Sequence, residues 1–162
     1  MRTREVALSA MLTALSVVLL YAACLLPTGR LALLAVAAMV PAVAVLAGGC
    51  RWGLLVYGAT ALLSLLLLPN RLPGLVYAVI LGHYSVVKSV IERLKRPAAE
   101  LILKLLVWNG TLAVAWGLAK GLGLLTTMSY SPVLLVAAYN LVFLVYDLVF
   151  TRIMTQISGY FR

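Results

Sequence analysis

Residues 31–68 read LALLAVAAMVPAVAVLAGGCRWGLLVYGATALLSLLLL, and the only charged side chain among them is Arg51. An α-helix rises 1.5 Å per residue, so about 20 apolar residues cross the roughly 30 Å hydrocarbon core of a bilayer. The stretch is too long for one crossing. It is broken at Gly48-Gly49-Cys50-Arg51, where paired glycines and a charge form a turn signal. It therefore predicts two membrane spans, 31–48 and 52–68, with a tight connection. Pro41 falls inside the first of them, where a neighbouring helix or a local kink has to satisfy the backbone that proline frees.

The same pattern extends in both directions. Upstream, 6–26 is apolar and closes at Pro27-Thr28-Gly29-Arg30. It follows Met1-Arg2-Thr3-Arg4-Glu5 and is longer than the apolar core of a signal peptide, so it reads as a retained first helix. Downstream, Pro69-Asn70-Arg71-Leu72-Pro73-Gly74 predicts a loop. A fourth span follows at 75–91 and runs out into Glu92-Arg93-Leu94-Lys95-Arg96-Pro97. A fifth span covers 98–118, and a connection bearing Gly, Thr and Ser leads to Ser131. The sixth is 132–157. The expectation is an all-α polytopic membrane bundle of six transmembrane helices, a single domain over 1–162 without internal repeats.

Composition agrees. The chain is 65% hydrophobic and 10% charged, with a mean hydropathy of +1.12. A soluble domain carries about 25% charged residues, so this chain lacks the polar skin of a globule and its apolar surface must face lipid. The net charge of +9 does not indicate nucleic acid, because the basic residues are scattered between apolar runs instead of forming a stripe. Their distribution orients the chain instead. With the N-terminus inside, Arg2, Arg4, Arg51, Arg93, Lys95, Arg96, Arg152 and Arg162 lie on the inner side, flanked by Lys88 and Lys104. Only Arg30, Arg71 and Lys120 lie outside. Both ends are therefore expected in the cytoplasm, across the inner (cytoplasmic) membrane. Cys24 and Cys50 fall near opposite ends of neighbouring spans, which argues against a disulfide. Neither has a metal-ligand spacing.

Ionisable residues within spans are functional candidates by default. Here they are Lys88, Lys104 and Asp147, with Glu92 at a boundary. Lys88 lies one turn from the inner end of its helix, Lys104 about 9 Å and Asp147 about 12 Å from theirs. The three share a depth, so Asp147 is expected to pair with one of the lysines and offset its desolvation. A second polar set lies nearer the middle and outer half. At 100° per residue, Tyr77 and Tyr84 fall on one stripe with Lys88, and His83 lies about 100° away. Asn109 and Trp116, with Trp108, are on the fifth helix. Tyr139 and Asn140 are on the sixth, with Phe143 and Tyr146. Such aromatic platforms with a few amides and hydroxyls suit a small, partly apolar ligand between helices; the same groups also serve as interfacial anchors and interhelical glue. No catalytic motif, phosphate-binding loop or metal-ligand spacing is present in the sequence, and neither enzymatic activity nor a cofactor is expected. On the first helix, Ala7, Ala10 and Ala14 form a small-residue face that lets another helix approach closely.

The opening Arg4-Glu5-Val6-Ala7-Leu8-Ser9-Ala10-Met11-Leu12-Thr13-Ala14-Leu15-Ser16 resembles the start of the substrate-binding S components of energy-coupling factor transporters. Met39 to Gly49, followed by Trp52 to Gly58, resembles that family's small-residue second and third helices. The resemblance implies a six-helix subunit that captures a vitamin-like solute from outside. It also implies docking, through the Ala10 and Ala14 face, onto a transmembrane coupling subunit that carries two ATPases. In size and helix count the chain also resembles the rod-shape-determining membrane protein D group, without its motifs. That likeness implies a non-transport scaffold or assembly subunit of the cell envelope. A cavity separates the two: a binding subunit needs an outward-facing pocket lined by the aromatic and amide set, and a scaffold has those groups packed.

Overall fold

The computed structural model describes residues 3–26, 28–92, 96–121 and 132–160. Arg2, Arg93, Lys95 and Arg162 of the charge count, Pro27 of the first turn signal, and the connection from 122 to Ser131 lie outside them. Among the described residues there are six helical segments, each long and apolar enough to cross a membrane. They are α1 (Thr3–Leu25), α2 (Arg30–Gly48), α3 (Cys50–Leu67), α4 (Arg71–Ile91), α5 (Pro97–Gly121) and α6 (Pro132–Tyr160). No strand occurs among these residues. The chain is an all-α, multi-pass membrane helix bundle.

The turns follow from local chemistry. Gly29 and Gly49 sit at φ 82° and 91°, a region that L side chains avoid and glycine enters freely. Gly49 reverses the chain between α2 and α3 within one residue, so Cys50 and Arg51, expected in the break, already belong to α3. The expected loop 69–74 is also shorter than its sequence suggests, with only 68–70 between α3 and α4. Asn70 caps α4, its Oδ1 accepting from the Leu72 N–H at 3.0 Å, and Leu72, Pro73 and Gly74 form the first helical turn. Proline in a first turn forfeits only an N–H that has no partner within the helix.

Helices α1, α2 and α3 pack closely on one another, α4 lies against α2 and α3, α5 stands against α4, and α6 against α2 and α5. Pro41 is accommodated at the α2–α3 contact. Gly53 lies so close there that an added Cβ would meet the Val45 side chain and the Pro41 carbonyl oxygen, the latter at 3.2 Å. Gly53→Ala is expected to destabilise the bundle by about 1–3 kcal/mol through overpacking, measured by thermal unfolding in detergent. Three residues before Pro41 on α2, the Ala38 carbonyl accepts from the buried Ser85 hydroxyl of α4.

Helix α4 is not continuous. Tyr77–Leu81 is a π-helical turn, closed by the Gly82 N–H donating to the Tyr77 carbonyl at 2.7 Å. The Tyr57 hydroxyl on α3 donates to the Ala78 carbonyl at 2.6 Å, satisfying an oxygen within the widened turn. This turn breaks the phase on which the Tyr77–Tyr84–Lys88 stripe was read. Tyr77 packs in one cluster with Leu20, Ala37 and Leu68. Tyr84 packs in another with Trp108, Phe143, Tyr146 and Phe150.

Candidate functional site

Three cores of side-chain chemistry emerge from this packing. The first lies toward the end of the bundle where α1 begins. Lys88 comes from the last turn of α4 and Glu92 from its C-cap, Lys104 from α5, and Asp147 and Thr151 from α6. Lys88 Nζ contacts Asp147 Oδ1 directly, donates to Thr151 Oγ1 at 2.6 Å and lies 3.3 Å from Glu92 Oε1. Lys104 Nζ donates to Glu92 Oε1 at 3.1 Å and to Asp147 Oδ2 at 3.4 Å. The Tyr84 hydroxyl adds a 2.6 Å bond to Asp147 Oδ1. Two ammonium groups thus meet two carboxylates and the local charge closes to zero. The lysine side chains are 3% and 9% exposed, so each would be costly if left alone. Glu92, read from the sequence only as a boundary residue, turns out to bridge both lysines. Its signal was the i,i+4 spacing from Lys88. Thr151 carried no such signal, because its role depends on the crossing of α6 over α4.

The second core is aromatic. Trp108 is stacked between Tyr139, with ring centroids 4.8 Å apart and planes at 20°, and Phe143, at 4.8 Å and 30°. Tyr84 meets Trp108, Phe143 and Phe150 edge-on at 5.5 to 6.0 Å. Offset stacking and edge contacts are the favoured aromatic geometries. Tyr84 is fully buried by these rings, and Tyr77 is fully buried in the other cluster, beside Leu20, Ala37 and Leu68. His83 stands apart from this group, edge-on to Tyr57 at 6.3 Å.

The third core is an amide pair farther along α5 and α6. Asn109 Nδ2 donates to Asn140 Oδ1 at 2.9 Å and to the Leu105 carbonyl at 2.9 Å. Asn140 Nδ2 donates to Asn109 Oδ1 at 3.1 Å and to the Val136 carbonyl at 2.8 Å. Beside it, the Thr111 hydroxyl donates to the Trp108 carbonyl at 2.7 Å and lies 3.0 Å from the Tyr139 hydroxyl.

Cavities flank these cores. Asn109 and Trp116 line one of about 440 Å³ between α5 and α6, with Leu112, Ala113, Leu135 and Val136. On its other side α5 borders a cavity of about 200 Å³ against Leu72, Leu75, Val76, Val79 and Ile80 of α4. The far half of α5 therefore stands off from both neighbours, while its near half is pinned by Lys104. A third cavity, about 210 Å³, lies beside the charge cluster between α2, α4 and α6. Of the seven ligand candidates, the structure places Asn109 and Trp116 on the largest of the three, with Tyr139 and Asn140 adjoining through their bonds to Thr111 and Asn109. Tyr77, His83 and Tyr84 line none of them.

Helix α1 packs through Thr13, Ser16, Leu20 and Ala23. Ala7, Ala10 and Ala14 are on the opposite side and exposed. This small-residue face is turned away from the other described helices. No family model, curated protein or solved structure matches this chain.

Proposed function

We propose that this chain is a solute-binding subunit of energy-coupling factor type, spanning the inner membrane with both ends in the cytoplasm. The observation that carries the reading is the separation of α5 from its neighbours. The half that faces outward in this orientation borders cavities of about 440 and 200 Å³, and the first is within the range of small-molecule sites. The inward half is held by the neutralised charge cluster, which serves as a fixed anchor. On this reading the chain hydrolyses no ATP. It takes a vitamin-like solute between α5 and α6, and docks through Ala7, Ala10 and Ala14 on a transmembrane coupling subunit whose ATPases supply the energy.

Gentle purification from the native membrane, with mass spectrometry of co-purifying proteins and small molecules, tests the whole. Recovery of a coupling subunit with ATPases supports it. Recovery of cell-shape or envelope-synthesis proteins with no bound compound replaces it. Ala10→Leu or Ala14→Leu is expected to abolish the co-purification. Both positions face outward, so the change in the chain's own stability is expected to stay within about 0.5 kcal/mol. Intact complexes with either variant would remove the docking face.

One observation favours a second reading, a scaffold or assembly subunit of the cell envelope. Tyr84, Trp108, Tyr139, Asn109 and Asn140 are all engaged with one another or with Asp147, which is how packing glue behaves. The same purification separates the two.

A further inference from the structure

The lining of the α5–α6 cavity restricts what it accepts, and this step rests on the solute-binding reading. Each of Asn109 and Asn140 uses one N–H on its own helix carbonyl and the other on its partner. The carbonyl bonds fix which way each amide points, and no amide N–H remains for a ligand. Each amide oxygen accepts one of these bonds and keeps a second lone pair. The adjoining hydroxyls are committed as well. The Thr111 and Tyr139 hydroxyls contact each other at 3.0 Å and both reach the Trp108 carbonyl, at 2.7 and 3.4 Å, so both protons are used within this group. Among the described residues of the lining, the Asn109 amide therefore accepts hydrogen bonds and does not donate them, and the donor is the Trp116 indole N–H. Its wall is the Trp116 indole, 43% exposed, with four aliphatic or alanine side chains.

Charge is absent too. Between Lys104 and Asp147 the only charged residue of the sequence is Lys120, and it does not line the cavity. A carboxylate or phosphate brought here would lose its hydration without a cation to replace it, and an ammonium would find no anion. We propose that the cavity takes a flat, uncharged molecule with an apolar body, stacked on Trp116, whose N–H or O–H donates to the free lone pair of the Asn109 amide oxygen.

Four probes of one shape test this: benzamide, its non-donating relative N,N-dimethylbenzamide, anionic benzoate and cationic benzylamine. Each is added to the full chain in phosphatidylcholine nanodiscs, with empty discs as blank, and followed by saturation-transfer NMR. Benzamide is expected to bind best. Dimethylbenzamide is expected to bind roughly tenfold more weakly, the loss of one hydrogen bond to a buried acceptor, and the charged probes more weakly still. Trp116→Leu, and Leu135→Trp, which fills the cavity from the other wall, are expected to abolish the benzamide signal without altering thermal unfolding. Equal binding of benzamide and dimethylbenzamide overturns the donor requirement. Stronger binding of a charged probe, still abolished by both variants, overturns the ligand class and leaves the solute-binding reading standing. Failure of every probe to respond to either variant overturns both.

Discussion

Asp147→Asn is expected to destabilise the bundle by about 3–5 kcal/mol, the cost of breaking a buried ion pair by removing one partner. The arithmetic of the cluster explains why. In the intact chain two lysines face Asp147 and Glu92. With asparagine, two ammonium groups share Glu92 alone, and Glu92 is the more exposed of the two carboxylates, at 41% against 18%. Lys88 has little freedom to escape. Its ammonium lies 5.0 Å from the Phe150 ring centroid and its side chain is 3% exposed. The double replacement Lys88→Met with Asp147→Leu is expected to recover most of the loss, because it leaves Lys104 and Glu92 balanced and substitutes apolar bulk of similar size. Unfolding in mild detergent on adding a denaturing one measures both variants. A single variant as stable as the parent would mean that the cluster is solvated and does not hold α4, α5 and α6 together.

The cluster also shows how far the sequence could be read. Span lengths follow from hydropathy alone, because a bilayer admits few alternatives to a helix of about 20 apolar residues. Depth follows from the helical rise, which is why Lys88, Lys104 and Asp147 were placed at a common height. Partner choice does not follow from rise. Glu92 joins the network because α4 ends where α5 begins, and Thr151 joins because α6 crosses beside Lys88. The wheel used for α4 assumed one pitch throughout, and the π turn at Tyr77–Leu81 cancels that assumption beyond Tyr77. A π turn leaves little mark in a sequence, since its stabilisation comes from outside the helix, here from the Tyr57 hydroxyl. The small-residue character of the Ala7, Ala10 and Ala14 face was legible, and its direction away from the other helices was not, because small residues favour close approach to any helix.

Helix packing in lipid also decides how the aromatic core should respond to change. In water, truncating a buried tryptophan removes both its transfer energy and its contacts, about 3–5 kcal/mol. In a bilayer the separated helices still lie in hydrocarbon, so the transfer part largely vanishes and the contact and cavity parts remain. Trp108→Ala is therefore expected to lose about 2–3 kcal/mol, almost all of it from the sandwich with Tyr139 and Phe143 and the edge contact with Tyr84. Trp108→Phe keeps a ring between those two and is expected to lose about 1 kcal/mol, near the value of a single aromatic pair. Trp116→Ala, on the same helix but 43% exposed, is the internal control and is expected to change stability by no more than about 0.5 kcal/mol. Each is read by the same detergent titration. If Trp108→Ala proves as mild as Trp116→Ala, the α5–α6 contact is held by the charge cluster and the amide pair alone, and the aromatic sandwich would then be free to open for a ligand.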